Sequence, residues 1–252
     1  MKHIRNREIE MNLKQRFVAL SIGLVLPFSV AADALDESQI KALVLETIRE
    51  NPEIVMEAVA ILEQRQIAAE ETARVDVLAK QRDRLERDPN APVLGNPEGD
   101  VTVIEFFDYN CPYCRRAMEP VQGLLGEDEN VRLVYREWPI LGEGSVFATR
   151  AALASRKQGK YEEFHWALMG MNGRAVEASV LQVASEIGMD VDQLRRDMEP
   201  AEIDEHIRTS MELAQALGFN GTPSFVIGDE LAPGLVQQSQ LMEMVKAART
   251  SE

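Results

Sequence analysis

The chain has 252 residues, 45% of them hydrophobic, and a formal charge of −15. That length suits one large domain or one domain with an appendage, and the composition is that of a globular protein. The acidity argues against nucleic acid and anionic membrane surfaces as partners, and two cysteines give no disulfide scaffold.

Residues Met11 to Ala34 read as an export signal. Lys14 and Arg16 form its positive end and Phe17 to Val30 its apolar run. Ser29-Val30-Ala31 or Val30-Ala31-Ala32 supplies the small residues for cleavage. The run is short for a membrane span; an uncleaved anchor is the alternative. Met1 to Glu10 carries Glu8 and Glu10 and no apolar run, which suggests a start at Met11. The expected signal occupies residues 1–32. Its removal near Ala31/Ala32 leaves a chain more acidic still.

From Asp36 to Glu50 the spacing predicts a helix with Ile40, Leu43, Val44, Thr47 and Ile48 on one face. Asn51 can cap it and Pro52 can start another. That second pattern runs to about Arg87, and at 1.5 Å per residue such a helix is roughly 50 Å long. Ile54, Val55, Ala58, Val59, Ile61 and Leu62 make a broad apolar stripe, which thins beyond Leu62. A long helix with one apolar face must lay that face on something. Residues 33–90 are therefore expected to form a helical segment that self-associates through 36–87. A helix folded back on its own domain is the alternative.

Asp88 to Pro92 reads as a hinge or boundary and Gly95 to Asp100 as a turn-rich lead-in, so a second domain is expected over 91–252. Val101–Phe107 is apolar and β-branched or aromatic, broken only by Thr102 and Glu105, and reads as a buried strand. Asp108, Tyr109 and Asn110 leave it. Cys111 then opens a helix to about Leu125. Pro112 takes an early helical position, where its missing N–H costs nothing. Cys111 sits where free N–H groups and the helix dipole favour an anion, so its thiolate is stabilised. Cys114, one turn on, shares that face and can attack a mixed disulfide at Cys111. Half a zinc site is disfavoured, because His3, His165 and His206 lack finger-like spacing. An inert bridge is disfavoured too, because it closes almost no loop. A lone Cys-x-x-Cys in an exported chain suggests disulfide exchange.

Val131 to Trp138 reads as a second strand, parallel to the first through the helix. Ser145 to Gly218 is helix-period sequence. Helices are expected near Ser145–Gln158, Lys160–Met169, Glu177–Ile187, Asp190–Asp197 and Pro200–Leu217, as an insertion between two halves of a sheet. Strand returns at Gly221–Gly228, where Pro223 must begin the strand or occupy a special turn. Gly228-Asp229 turns the chain, Glu230 to Ala232 begins another strand, and Gln237 to Arg249 closes with a helix. His165, Tyr109, Trp138, Met169 and Met171 read as packing residues rather than a base or copper ligands.

Glu105 to Cys114, Gln158-Gly159-Lys160-Tyr161 with Phe164-His165, Leu217-Gly218 and Gly221-Thr222-Pro223 together resemble the DsbA-like thiol:disulfide oxidoreductases of the thioredoxin superfamily. The resemblance covers roughly Asp100 to Arg249. The Asn51-Pro52-Glu53 helix looks like that of the exported subgroup that includes suppressor-of-copper-sensitivity protein C, some members of which trimerise through this region. The resemblance implies an α/β thioredoxin fold with a helical insertion at about 145–218, preceded by a long N-terminal helical segment. It implies Cys111 as the attacking thiol, Cys114 as the resolving thiol, and Pro112 and Tyr113 as the dipeptide that tunes redox poise. Pro223 matches the cis-proline beside the cysteines, Thr222 the residue that shapes the substrate groove, and Glu105 a buried acid beneath the cysteines.

Physical chemistry agrees with these roles. A cis X-Pro bond is cheap compared with other cis bonds, and the Thr222 backbone can pair with an extended substrate. Glu105 on a buried strand should titrate high and relay a proton to or from Cys114; a strand-end carboxylate facing water is the alternative. The expected protein is a periplasmic thiol:disulfide exchange enzyme for unfolded or misoxidised exported proteins. It is expected to act as an isomerase or reductase, kept reduced by a membrane redox partner. A monomeric dithiol oxidant recharged by a quinone-linked membrane protein is the second expectation, and a thiol-based copper-binding or chaperone protein the third. Turnover is expected to use the redox-active Cys111–Cys114 disulfide, with no cofactor, metal or nucleic acid.

Overall fold

The computed structural model describes residues 36–251; the expected export signal lies outside the described residues. Contacts divide the chain into two units, residues 1–59 and 60–252. In the first, α1 (Glu37–Glu50) begins at Asp36, whose carboxylate accepts from the Gln39 N–H while the Gln39 side chain accepts from the Asp36 N–H, both at 2.9 Å. This reciprocal cap satisfies two otherwise orphaned donors. Asn51 ends the helix, and the chain restarts beyond Pro52 as α2 (Glu53–Glu86). No residue of α1 is buried. Leu43, Leu45 and Met56 are 55%, 53% and 68% exposed.

The end of α2 belongs to the second unit and changes character. Leu78 and Leu85, two turns apart and so on one face, are each 2% exposed. Arg84 pairs with Glu212 at 2.7 Å, and Arg82 pairs with Asp229. These contacts attach the end of α2 to the second unit. The stretch read as a hinge is pinned. Arg136 donates to the Asp88 carboxylate at 2.6 Å, and Arg156 donates to the Pro89 and Asn90 carbonyls at 3.0 and 2.5 Å.

A five-stranded sheet has the order β1-β3-β2-β4-β5, with β1 at Val93–Gly95, β2 at Val101–Phe107, β3 at Val131–Glu137, β4 at Ser224–Ile227 and β5 at Glu230–Pro233. β3 runs parallel to β2, joined to it through α3 (Pro112–Glu127), and β4 runs antiparallel to β2. The insertion comprises α4 (Glu143–Ser155), a single 3₁₀ turn (Arg156–Gln158), α5 (Tyr161–Gly170), α6 (Glu177–Glu186), α7 (Val191–Asp197) and α8 (Ala201–Ala216). α9 (Gln238–Ser251) closes the chain. This is the α/β arrangement the sequence led us to expect. β1 is the addition. It has three residues and pairs Val93 with Val134, too short a run to carry a period.

Successive side chains of β2 point to opposite faces. Ile104 and Phe106 join Leu78, Leu85, Leu213 and Phe219 in one apolar cluster. Val103 and Phe107 join Cys111, Cys114, Val121 and Leu241 in another. Glu105 shares the parity of Val103 and Phe107, so it lies on the face covered by the cysteine helix.

Candidate redox site

β2 ends at Phe107, and the next three residues carry the chain on to α3. Asp108 is fully buried. Its carboxylate accepts from the Asn110 N–H at 2.7 Å and from the Leu141 N–H at 2.9 Å. The Asn110 amide donates to Ser145 Oγ at 3.1 Å and to the Ala175 carbonyl at 3.0 Å, and accepts from the Ala175 N–H at 2.8 Å. The loop before Cys111 is thereby tied to the insertion at two places. Gly144 allows the close approach, since a Cβ there would lie 2.3 Å from the Ala175 oxygen. From the sequence, Asp108 and Asn110 read only as a strand exit. The available signal was a pair of Asx side chains, which bond nearby backbone in turns.

Cys111 is the N-cap of α3 and is 5% exposed. Its sulfur lies 3.2 Å from the Thr222 carbonyl oxygen. The Thr222–Pro223 bond is cis, and the pairing of Phe106 with Ser224 sets it beside the exit of β2. The Cys114 thiol does most to hold the Cys111 thiol down, to about 5; Thr222 and the N–H groups of Cys114 and Tyr113 add to this, and burial opposes it. Pro112 has no N–H to contribute, which leaves the amides of the next two residues aimed at the sulfur.

Cys114 is 1% exposed. Burial first, then the Cys111 sulfur and the Glu105 carboxylate, push its thiol far above the ordinary range. Both cysteines are free. The pair therefore consists of one sulfur favoured as the anion and one kept as the thiol. Glu105 is 3% exposed and does not face water. Burial, then the Cys111 charge, raises its carboxyl to about 8.

The Glu105 shift makes a stability prediction. An unfolded Glu titrates near 4.5 and the folded one near 8. Between those values the unfolded chain releases a proton that the fold retains, so stability falls as pH rises through that window. Glu105→Gln is expected to stabilise the reduced protein by up to about 4 kcal/mol at pH 8 and by little at pH 4, at 1.36 kcal/mol per pKa unit. Urea denaturation at the two pH values measures it; equal effects at both would remove the assignment.

Tyr113 is 52% exposed, and the Arg116 guanidinium lies 4.7 Å from its ring centroid. His165 packs among buried rings. It is 1% exposed, burial pushes it down to about 3, and its Nδ1 lies 3.1 Å from the Tyr109 hydroxyl. Trp138 packs edge-on against Phe106 at 6.4 Å. Among the described residues no three His, Cys, Asp or Glu side chains gather as a metal site.

Comparison with known proteins adds to this geometry. Residues 102–246 match the model of the DSBA-like thioredoxin domain, and residues 36–69 that of the copper resistance protein ScsC N-terminal domain. The chain is similar to a crystal structure of a thioredoxin-like oxidoreductase from Silicibacter pomeroyi DSS-3. That similarity is 70% identity over 68% of this chain and 99% of the other, with a TM-score of 0.67. The thiol-disulfide exchange protein alpha-DsbA2 from Wolbachia pipientis is 28% identical over 71% of this chain and 97% of its own, with a TM-score of 0.66. A periplasmic thioredoxin-like protein from Salmonella enterica serovar Typhimurium is 30% identical over 67% of this chain and 95% of its own, with a TM-score of 0.61. Among curated relatives, the Na(+)/H(+) antiporter NhaA 1 of Salinispora arenicola is 31% identical over 161 residues, 63% of this chain. The chain spans only about a quarter of such relatives' length, 24% in this case. A match over more than half its residues, on a sheet with a Cys-x-x-Cys helix beside a cis-proline, makes the chain a member of the DSBA-like thioredoxin domain family.

Proposed function

We propose that this protein is an exported thiol:disulfide exchange enzyme that acts on protein disulfides in the periplasm. The observation that carries the reading is the unequal pair at the head of α3: a stabilised Cys111 thiolate beside a buried Cys114 thiol. In the reductive direction Cys111 attacks one sulfur of a substrate disulfide. A mixed disulfide forms, and one substrate thiolate leaves and takes a proton from solvent. Cys114 then loses its proton and attacks the Cys111 sulfur. The Cys111–Cys114 bond closes, the second substrate thiolate leaves, and two electrons have passed to the substrate. In this reading Glu105, with its carboxyl near 8, exchanges that proton near neutral pH. An extended substrate pairs with the Thr222 backbone ahead of Pro223, and Pro112 and Tyr113 tune the poise of the pair. Export is supported by the apolar run Phe17–Val30.

Isomerisation or reduction is the favoured direction, with a membrane redox partner supplying electrons. The exposed apolar side chains of α1 and early α2 and the ScsC-type match over 36–69 support it. A trimer joined through 36–87 presents several sites to one substrate, which raises the effective concentration of the second attack. The test places two charges on that face, as Leu43→Glu with Val55→Glu in the chain lacking its signal. The parent is expected to sediment as a trimer and the variant as a monomer. Refolding of scrambled ribonuclease should fall roughly 10-fold or more, while insulin reduction persists. A monomeric parent removes the basis for the isomerase reading.

One observation favours the oxidant as a second reading. Holding Cys111 as the thiolate lowers the free energy of the reduced pair, which makes its disulfide the stronger oxidant. A reduction potential measured against glutathione separates the two directions.

A further inference from the structure

Carboxylates outnumber basic side chains in this chain, 42 to 27, so an exposed arginine readily finds a partner. Arg82, Arg84, Arg150, Arg195 and Arg249 each do. Arg115, Arg116 and Arg174 form no ion pair among the described residues, as Arg87, Arg132, Arg156 and Arg196 also do not; what sets the three apart is their place beside the Cys-x-x-Cys helix. Arg115 donates to the carbonyls of Tyr109 and Met171 at 3.2 and 2.9 Å, and its Nη2 is buried without an acceptor. Arg174 donates to the Leu141 carbonyl at 3.2 Å and is close enough to Arg115 to repel it. Arg116 stacks on Tyr113, two residues from Cys111.

None of the carboxylates nearby is in contact with these guanidinium groups. Both Asp108 oxygens are taken by N–H groups. Glu177 pairs with Arg195 at 2.7 Å. Glu105 is buried with its carboxyl near 8, so it is mostly neutral at pH 7. Glu119 and Glu143 are exposed and form no ion pair with the three arginines. Exposed apolar side chains accompany them: Tyr113 under Arg116, Leu141, whose carbonyl holds Arg174, and Val176, two residues beyond it, at 52%, 41% and 46%.

We infer that this rim selects disulfides whose cysteines are flanked by aspartate or glutamate and by apolar residues, with Arg116 and Arg174 pairing the acidic side chains. The inference rests on the exchange reading above. It supplies what that reading needs: an acidic segment approaching a protein of charge −15 and a thiolate meets repulsion, and local guanidinium groups offset it. The exposed rings and aliphatic side chains beside them take the apolar neighbours.

The test uses the reduced protein and three peptide disulfides, identical except for Glu, Gln or Lys on both sides of the cysteine. At low salt the Glu peptide is expected to react about 10-fold faster than the Lys peptide, the lower end of electrostatic steering. The ratio should fall towards one near ~1 M salt, where the screening length is about 3 Å. Arg116→Gln with Arg174→Gln should bring the ratio near one at low salt. Arg116→Lys with Arg174→Lys should keep the preference. Equal Glu and Lys rates in the parent overturn this inference and leave the exchange reading intact, and a preference that survives the double Gln variant overturns the assignment to these arginines. Exchange with none of the three peptides overturns the exchange reading itself.

Discussion

Replacing Cys111 with serine is expected to leave thiol–disulfide exchange at its uncatalysed rate. A serine hydroxyl is not ionised near neutral pH, and the thiolate is the form that attacks. Cys114 cannot take over, because it is 1% exposed and its own thiol is pushed far up. Cys114→Ser should behave differently: the first attack proceeds and resolution fails, so a covalent adduct with substrate accumulates and is read by mass. Alkylation of Cys111 across a pH series should follow a midpoint near 5 rather than the ordinary 9. The sign carries through to stability. A thiol whose folded value is depressed stabilises the reduced fold fully above 9, and that contribution is lost as pH falls through 5. The oxidised form has no thiolate, so the stability gap between the two forms should shrink as pH drops from 9 to 5. A midpoint near 9, or equal labelling of Cys114, would remove the proposed mechanism.

What the sequence made legible was local. β2 reads from its apolar run, and α3 from Cys111-Pro112 at its start. The insertion helices read from their period and from the glycines that close them: Gly159 and Gly188 take positive φ values of 66° and 74°, which favour glycine. What stayed hidden depends on residues far apart in the chain. Alternation over Val131–Trp138 puts Arg136 and Glu137 on opposite faces, so one of them should meet solvent; both are fully buried. Their partners explain this. Glu137 accepts from the Tyr161 hydroxyl at 2.5 Å and lies 2.6 Å from His206 Nε2, while Arg136 reaches back to Asp88. None of these is near the strand in sequence. The Asn110–Ala175 clasp is hidden in the same way. Leu78 and Leu85 are too sparse on α2 to announce a buried face, and only the sheet beneath them makes one.

Asp88→Ala is expected to cost about 3–5 kcal/mol, the usual loss when one member of a buried pair is removed. The reason is what remains behind. The Arg136 side chain is 0% exposed and Asp88 is 12% exposed. Without the carboxylate, the guanidinium keeps the Leu85 carbonyl at 3.4 Å, and its Nε has no partner even now. Asp88→Asn retains an acceptor and should cost less. Asp88→Ala with Arg136→Met removes the stranded charge and should recover most of the loss. The pair also sets an acid limit. Burial favours the protonated Asp88, but the Arg136 hydrogen bond and the Asn90 N–H outweigh it and hold the carboxyl below its ordinary 3.8. Its stabilisation is therefore complete above that value and disappears as pH falls through the folded one. The parent should lose stability below about pH 4 more steeply than Asp88→Ala. Arg136 pairs in register with Phe106, on the sheet face away from the cysteines. Folded Asp88→Ala should then exchange disulfides at the parent rate while denaturing at lower urea. A stability loss under about 1 kcal/mol, against the 3–5 expected for a buried pair, would show that water already solvates the guanidinium. A folded variant with lost exchange would show that the joint between α2 and the sheet reaches the cysteine loop.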